Sequence, residues 1–265
     1  MSESASSGPA ERRPGARREL VRRRVLDEGF ARVEDLVREF DVSLMTMHRD
    51  LDALEAEGWL SKIRGGATAN PAALVDAGVR ERSSAMRAEK LAITDVAATM
   101  LLPGQTVFLD DSTTGMGLVP HLLARPPMTV ATNFIPAALA LGDGLDTHLL
   151  GGQYHPRQDA CQGLQTVEAI GQFHADLCFM STTALSGGQL LHRSEATIMV
   201  RKAFLRHARK RVLLVDHAKF GRQAPHVLCD VAEFDVVITD AGTDTADLAE
   251  LRERGVEVQV APVAH

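Results

Sequence analysis

DVSLMTMHRDLDALEAEGWLSKIRGGA, residues 41–67, reads as a turn, a helix and a short ribbon. Ser43 follows the apolar Val42 and can cap a helix beginning there. With Met47 at 0° and steps of about 100° per residue, Leu51 falls near 40°, Leu54 near −20° and Leu44 near 60°. Those four form the expected core stripe. Met45, His48, Arg49 and Asp52 fall between about 100° and 200°, with Thr46 at roughly 260°. This outward face carries hydroxyl, imidazole and guanidinium groups beside one methionine. On its own it suits either solvent or a DNA major groove, where phosphates and base edges accept hydrogen bonds and thymine methyls meet apolar groups.

The preceding residues favour the groove. A helix is expected over about 17–28, with Leu20, Val21, Val25 and Leu26 inward and Gly29 as its stop. Ala31-Arg32-Val33 suits a short strand, and 34–40 a second helix bearing Leu36, Val37 and Phe40. Helix, short helix, turn and longer helix is helix-turn-helix order. Beyond Gly58, Leu60 and Ile63 interleave with Lys62 and Arg64 before Gly65-Gly66, the pattern of a two-stranded basic wing. Trp59 and Leu60 are placed to pack that wing against the helices.

Charge permits this reading without compelling it. The 265 residues carry a net charge of −6, with 45% hydrophobic and 24% charged residues. Residues 1–24 hold seven arginines against three glutamates, a local +4. Residues 1–15 are rich in Ser, Ala, Gly and Pro and read as a disordered tail. No run of about 18 apolar residues predicts a membrane span, and no apolar core follows the N-terminal arginines to make a secretory signal. Cys161, Cys178 and Cys229 are widely spaced and read as buried, reduced thiols of a cytoplasmic protein. Ten irregularly spaced histidines predict no metal site, although His155 and His192 lie near the loops described next.

Residues 71–88 contain Pro71, Gly78 and Ser83-Ser84 and read as a partly helical linker between a DNA-binding domain at 16–70 and a second domain at 89–265. After an amphipathic helix at 89–102, strands are expected at 106–110, 128–131, 147–150, 176–180, 211–216, 235–239 and 256–260. Helices are expected at 115–124, 134–141, 163–173, 195–208 and 244–254. That alternation argues an α/β domain with a mainly parallel sheet, whose ligands sit beyond the strands' carboxyl ends. Four loops there are rich in small polar groups. Asp110, Asp111, Ser112, Thr113 and Thr114 open a helix at Gly115 and suit either a phosphate cradle or a plain helix cap. Thr132-Asn133 follows a second strand. Gly151-Gly152 follows a third, where absent side chains allow close approach. Asp216 and Lys219 follow a fourth.

These segments resemble the DeoR family of bacterial transcription regulators over roughly 17–240. In the winged helix the resemblance rests on Val42, Ser43, Thr46, Arg49, Asp50, Leu51, Leu54, Glu55, Gly58, Lys62 and Gly65-Gly66-Ala67. Met47 stands for a buried isoleucine, His48 for an arginine, and Arg64 for the histidine before the glycine pair. In the second domain it rests on Asp110-Asp111-Ser112-Thr113-Thr114, Thr132-Asn133, Gly151-Gly152 and Asp216-His217-Ala218-Lys219-Phe220. Ser112 there replaces glycine and Ala218 replaces serine. The stretch HRSEATIMVRKAF (192–204) resembles the family's helix before a Val-Lys-Arg run.

The resemblance implies an effector domain with the fold of sugar-phosphate isomerases such as ribose-5-phosphate isomerase. It implies a repressor released from double-stranded operator DNA by a phosphorylated sugar or related metabolite, working as a homo-oligomer without a cofactor. Ser43, Met45, Thr46, His48, Arg49, Lys62 and Arg64 are the expected DNA contacts, and Asp50 a structural partner for an arginine or a helix end. The alternatives are an activator, a partner-sensing regulator, or an isomerase-like enzyme using Asp110 or Asp111 with Lys219.

Overall fold

The computed structural model describes residues 14–28, 30–69 and 79–263. Most of the expected tail, Gly29, and Pro71 and Gly78 of the linker lie outside them. The chain divides into two compact units, 1–87 and 88–265.

The first unit begins with α1 (Pro14–Glu28), followed by β1 (Phe30–Arg32), α2 (Val33–Glu39) and α3 (Leu44–Ala56). Val21, Val25, Leu36, Met47, Leu51, Leu54 and Leu60 close its core. Leu20 is half-buried, and the side chain of Leu26 lies outside the described residues. Leu44 departs from the expected stripe, being 54% exposed. It is the first residue of α3, at the margin of the stripe, where the helix has not yet met its neighbours. The Ser43 cap forms as expected, its Oγ accepting from the Thr46 N–H at 3.2 Å.

The wing is a three-stranded antiparallel sheet rather than a two-stranded one. β3 (Gly66–Ala69) lies between β2 (Leu60–Ile63) and β1. Gly66 has no room for a side chain, since a Cβ would fall 2.6 Å from the Ala31 carbonyl oxygen. Leu60 is buried, but Ile63 is 51% exposed, because residues three apart on a strand face opposite sides. Lys62 therefore shares the side of Leu60, toward α3. Beyond the undescribed residues, α4 (Val79–Ser84) and the buried Ala85 pack in this same unit. The later half of the expected linker thus belongs to the first domain's core.

In the second unit, α5 (Arg87–Ala97) leads to β4 (Thr106–Leu109), α6 (Val119–Leu123), β5 (Thr129–Thr132), α7 (Ile135–Leu141) and β6 (Asp146–Leu149). A hairpin of β7 (Gln153–His155) and β8 (Ala160–Gln162) follows, then α8 (Leu164–Ile170) and β9 (Ala175–Met180). Next come β10 (Ala184–Ser186), β11 (Gln189–His192), α9 (Glu195–Arg206), β12 (Ala208–Leu214), β13 (His226–Asp230), β14 (Val236–Asp240), α10 (Thr245–Glu253) and β15 (Glu257–Ala261). The seven expected strands form the whole main sheet, all parallel, in the order β15-β14-β12-β9-β4-β5-β6. Phe108 on β4 and Phe204 on α9 meet at 5.0 Å within its core. Five further strands were not expected: the β7–β8 hairpin and an antiparallel sheet β10-β11-β13. The three cysteines are buried and free, and burial pushes the Cys229 thiol up to about 12.

A buried ion pair fixes the first unit. Arg17 Nε on α1 reaches Asp50 Oδ2 on α3 at 2.6 Å, both side chains being less than a tenth exposed. Removing Asp50 takes this ion pair from a buried Arg17, so Asp50→Ala should destabilise this unit by about 3 kcal/mol. Trp59, the only tryptophan, lies in this unit and reports its unfolding in the intact chain. Unchanged denaturant midpoints by tryptophan fluorescence would contradict this.

Candidate functional site

The DNA-facing residues lie on two adjoining elements. On α3, Met45 is 73% exposed and Arg49 is exposed, while Thr46 and His48 are half-buried. The acidic neighbours that could have neutralised Arg49 are engaged elsewhere, Asp50 with Arg17 and Asp52 with Lys62. No ion pair of Arg49 occurs among the described residues. Ser43 Oγ lies 2.8 Å from Thr46 Oγ1, so these two hydroxyls are oriented together at the start of the helix. Arg64, at the wing turn beside the left-handed Gly65, is exposed.

Lys62 behaves differently from the other expected contacts. Its Nζ pairs with Asp52, and its backbone N–H donates to Glu55 Oε1 at 2.7 Å. Both acceptors are on α3, one turn apart on the helix flank, so they fasten the wing to the helix it flanks. Arg22 lies over the Trp59 ring at 4.1 Å, bracing the base of β2 from α1.

The second constellation lies where the main sheet changes direction. From β4 the chain builds outward through β5 and β6, then returns to the other side of β4 with β9, β12, β14 and β15. The crevice at such a switch point is where open parallel sheets take ligands. Asp110 follows β4 here, fully buried, its Oδ1 accepting from Ser112 N–H and its Oδ2 from Ser181 N–H beyond β9, each at 3.1 Å. Arg201 of α9 is 2% exposed and donates to Asp111 Oδ1 at 3.0 Å and to the Ser181 carbonyl at 2.7 Å. It also stands 3.2 Å from Asp110 Oδ2. Burial pushes the Asp110 carboxyl up against the opposing pull of Arg201. Arg201 is itself held in its charged form, the two carboxylates outweighing burial.

Much of the expected phosphate loop is therefore committed to holding itself. Ser112 Oγ accepts from Gly115 N–H at 3.1 Å, and Thr132 Oγ1 accepts from Phe134 N–H at 3.1 Å. The helix expected at 115–124 opens as a 3-10 turn over Gly115–Leu118 and becomes α-helical only at Val119. Thr113 Oγ1 accepts from Lys90 Nζ at 3.2 Å, while Thr114 is buried. Gly151 is open, but Gly152 serves packing, since a Cβ there would collide with Thr166 and fall 2.7 Å from the Gln162 carbonyl. His192 is occupied at the start of α9, accepting from Ser194 N–H at 3.0 Å.

Several buried groups of the second unit that lack hydrogen-bond partners follow or flank the sheet strands. Asn133 donates to the Cys161 carbonyl at 2.8 Å, but its Oδ1 accepts nothing. Gln162 donates to Thr197 Oγ1 at 2.9 Å, and its Oε1 likewise accepts nothing. Neither Asp216 oxygen has a hydrogen-bond partner, although Lys219 Nζ stands 3.8 Å away. Next to it, His217 Nδ1 meets Asp240 Oδ2 at 2.6 Å and His217 N–H donates to Asp240 Oδ1 at 2.7 Å.

Sequence reading missed Arg201, Lys90 and Gln162. The Val200-Arg201-Lys202 run was the available signal for Arg201, but its register could not be fixed. Lys90 stands on the expected amphipathic helix, where no motif singles it out, and Gln162 stands on a strand that was not expected. Among the described residues, no group of three or more His, Cys, Asp or Glu is placed to hold a metal ion, and no helix is long and apolar enough to cross a membrane.

Comparison with known proteins agrees with this layout. Residues 85–241 match the model of the DeoR C terminal sensor domain, and residues 17–72 that of the DeoR-like helix-turn-helix domain. The chain belongs to the DeoR family of transcriptional regulators. It is 27% identical, over 94% of its length and 98% of the relative's, to the uncharacterized HTH-type transcriptional regulator YgbI of Escherichia coli. It is 28% identical, over 89% of its length and 94% of the relative's, to the glycerol-3-phosphate regulon repressor of the same species. These relatives are named as regulators, not enzymes. Among solved structures, ribose 5-phosphate isomerase A from Methanocaldococcus jannaschii is similar over 49% of this chain and 53% of that one, at 15% identity and a TM-score of 0.36. At that score the likeness is loose, and no site argument rests on it.

Two outcomes follow from the pairings. If Asp52 holds Lys62 back from phosphate, Asp52→Asn should steepen the slope of log K against log salt for DNA binding by about 0.9 per chain. An unchanged slope would mean that Lys62 exchanges Asp52 for phosphate on binding. The hydrogen bond that His217 donates to Asp240 raises the imidazole above its ordinary value despite burial. Burial pushes the Asp240 carboxyl up, but its bonds from His217 and Gly242 outweigh that and hold it below its ordinary value. The pair thus stabilises the fold between those limits: the Asp240 share is lost as pH falls through its lowered value, the His217 share as pH rises through its raised one. Asp240→Asn should move the His217 imidazole titration, followed by NMR, to lower pH.

Proposed function

We propose that this chain is a cytoplasmic DNA-binding repressor whose hold on its operator is relieved by a phosphorylated sugar or related metabolite. The observation that carries the reading is one chain joining two kinds of site. One is a helix-and-wing surface that leaves Met45, Arg49 and Arg64 exposed. The other is a parallel-sheet switch point carrying buried polar groups that lack partners. Ser43, Thr46 and His48 would complete the contacts from α3, with Arg64 on a flanking phosphate and Lys62 held beside it by Asp52. His48 carries no permanent charge, which weights recognition toward Arg49 and Thr46.

Relatives support the ligand class. One is named the glycerol-3-phosphate regulon repressor, and another, 29% identical over 85% of this chain and 91% of its own, the lactose phosphotransferase system repressor of Lactococcus lactis. Asn133, Gly151, Asp216 and Lys219 would meet the metabolite directly. Asp110, Asp111, Ser112 and Thr132 would hold the loops that frame it, with Thr113, Thr114 and Gly152 completing them. Release is then linkage: a metabolite that binds more tightly to the form poorly matched to DNA lowers affinity for the operator by the same factor. A homodimer would read two half-sites about one helical turn, or multiples of it, apart.

The test is a gel-shift assay on DNA from upstream of the chain's own gene and its neighbours, with glycerol 3-phosphate, ribose 5-phosphate, fructose 6-phosphate and their unphosphorylated counterparts. A shifted band weakened tenfold or more by a phosphorylated compound, but not by its counterpart, is the expected result. Failure to bind at low salt, or binding indifferent to every phosphorylated compound, would overturn the proposal.

A further inference from the structure

The loop after Lys219 buries a cation that none of the expected site residues explains. Gly221 takes a left-handed conformation, φ +69°, and its N–H donates to the Leu185 carbonyl at 2.9 Å, pinning the chain just before Arg222. Arg222 is 8% exposed, and its Nε and Nη1 have no hydrogen-bond partner. A guanidinium keeps its charge at any ordinary pH, so this is a buried, under-coordinated cation. Burial works against that charge, and the carboxylate that works for it is Asp216.

Asp216 is in the complementary condition. It is fully buried at the end of β12, and both its oxygens lack hydrogen bonds. Opposite charges this deep in a protein ordinarily close into a hydrogen-bonded pair, since each left alone keeps its desolvation penalty. Here neither bonds to the other.

We infer that Arg222 and Asp216 together form the head-group site of the effector pocket, Arg222 taking a phosphate ester and Asp216 a hydroxyl of the same molecule. The inference deepens the proposed function and rests on its reading of the α/β domain as a sugar-phosphate sensor. The chemistry follows from what each group lacks. Nε and Nη1 lie on different edges of a planar guanidinium, so they call for more than one acceptor, as the several oxygens of a phosphate ester provide. Asp216 accepts only, so its partner must be a donor, and a neutral hydroxyl serves without opposing the phosphate. Lys219, 3.8 Å from Asp216, lies close enough to add to the attraction for an anion. A free sugar would leave Arg222 unsatisfied, and a phosphate ester without a hydroxyl would leave Asp216 so. The pair therefore selects for both functions in one ligand.

A buried cation retained for a ligand leaves a signature that a structural arginine does not. Replacing it with a neutral side chain should abolish binding while leaving the unliganded protein as stable as before, or more so. The test uses the full chain, with calorimetric titration and thermal melting in the presence of ribose 5-phosphate, glycerol 3-phosphate, fructose 6-phosphate, their unphosphorylated counterparts and inorganic phosphate. Arg222→Gln is expected to weaken the best phosphorylated compound at least tenfold, and Arg222→Lys to recover part of that loss. Asp216→Asn should weaken the same compound while narrowing its advantage over inorganic phosphate. Arg222→Met should melt, without ligand, at or above the wild-type temperature.

Equal binding by wild type and Arg222→Gln would overturn the inference while leaving the sensor reading intact. So would an unliganded Arg222→Met that melts well below wild type, since that marks a structural arginine. If no phosphorylated compound binds the wild-type chain, the reading beneath fails and the inference falls with it.

Discussion

Arg201 is the side chain on which the second domain's architecture turns. Its guanidinium joins Asp111, the Asp110 carboxylate and the Ser181 carbonyl, and so ties α9 to the ends of β4 and β9. Those strands are neighbours in the sheet but are separated in sequence by two βα excursions and a hairpin. The strand order reverses at this junction, where the backbone ladder ends with Asp110 N–H donating to the Phe179 carbonyl at 3.3 Å and Arg201 continues the tie beyond it. Two carboxylates around one guanidinium are expensive to bury, and the cost is offset only because most polar atoms here have a partner. The loops on either side are hydrogen-bonded within themselves, with Ser112 and Thr132 spent on caps. Arg201 Nε itself has no hydrogen-bond partner, but the other chemically open groups of this domain lie on the flanks, on Asn133 and Gln162 at one side and Asp216 and Arg222 at the other.

The first domain uses the same device at smaller scale. Arg17 and Asp50 form a buried pair between α1 and α3, so the helix carrying Thr46 and Arg49 is held by charge as well as by Met47, Leu51 and Leu54. Asp50 lies next to Arg49 in sequence but is turned inward, and Asp52 is drawn to the wing. The consequence is electrostatic: Asp50, Asp52 and Glu55, the acidic residues of α3, are all engaged with Arg17 or the wing, and Arg49 keeps its field. The wing sacrifices some of its own basic charge for position, since Lys62 is fastened where a free lysine would be a stronger but looser phosphate contact.

What could be read from the sequence follows from how each element is stabilised. The inner sheet strands were legible because they carry apolar runs bounded by turns, and burial on both faces leaves little else such a run can be, whereas the edge strands β6 and β15 are largely exposed and were legible from their place in the strand-helix alternation. The helix-turn-helix was legible through its cap and its 3.6-residue stripe. The strands β7, β8, β10, β11 and β13 were not, being mostly three to five residues long with mixed polarity and stabilised by partners distant in sequence. Gln162 was invisible for that reason. The wing differs from its expected form in having a third strand, and Leu60 and Ile63, expected to alternate with Lys62 and Arg64, are placed on opposite faces by their odd spacing. The hydroxyls of the 110–114 loop had the right composition for a phosphate cradle. Whether they cap or bind is decided by distances of tenths of an ångström, which composition does not carry.

The distribution of satisfied and unsatisfied groups bears on how such a domain could act as a sensor. An effector shifts an equilibrium only by its difference in affinity for two states, and useful coupling is about 1–3 kcal/mol. A hydrogen bond to a charged group contributes about 1.5–3 kcal/mol, so one bond made in one state and lost in the other is sufficient. The Arg201 cluster is a poor place for that difference, because its groups are largely paired without ligand and change little on binding. Asp216 and Arg222 are a better one: each retains a desolvation penalty that a ligand can remove, on loops following β12 rather than on the braced β4–β9 junction. A rigid centre with unsatisfied charges at its flank lets the sheet keep its geometry while the loop after Lys219 responds to what is bound.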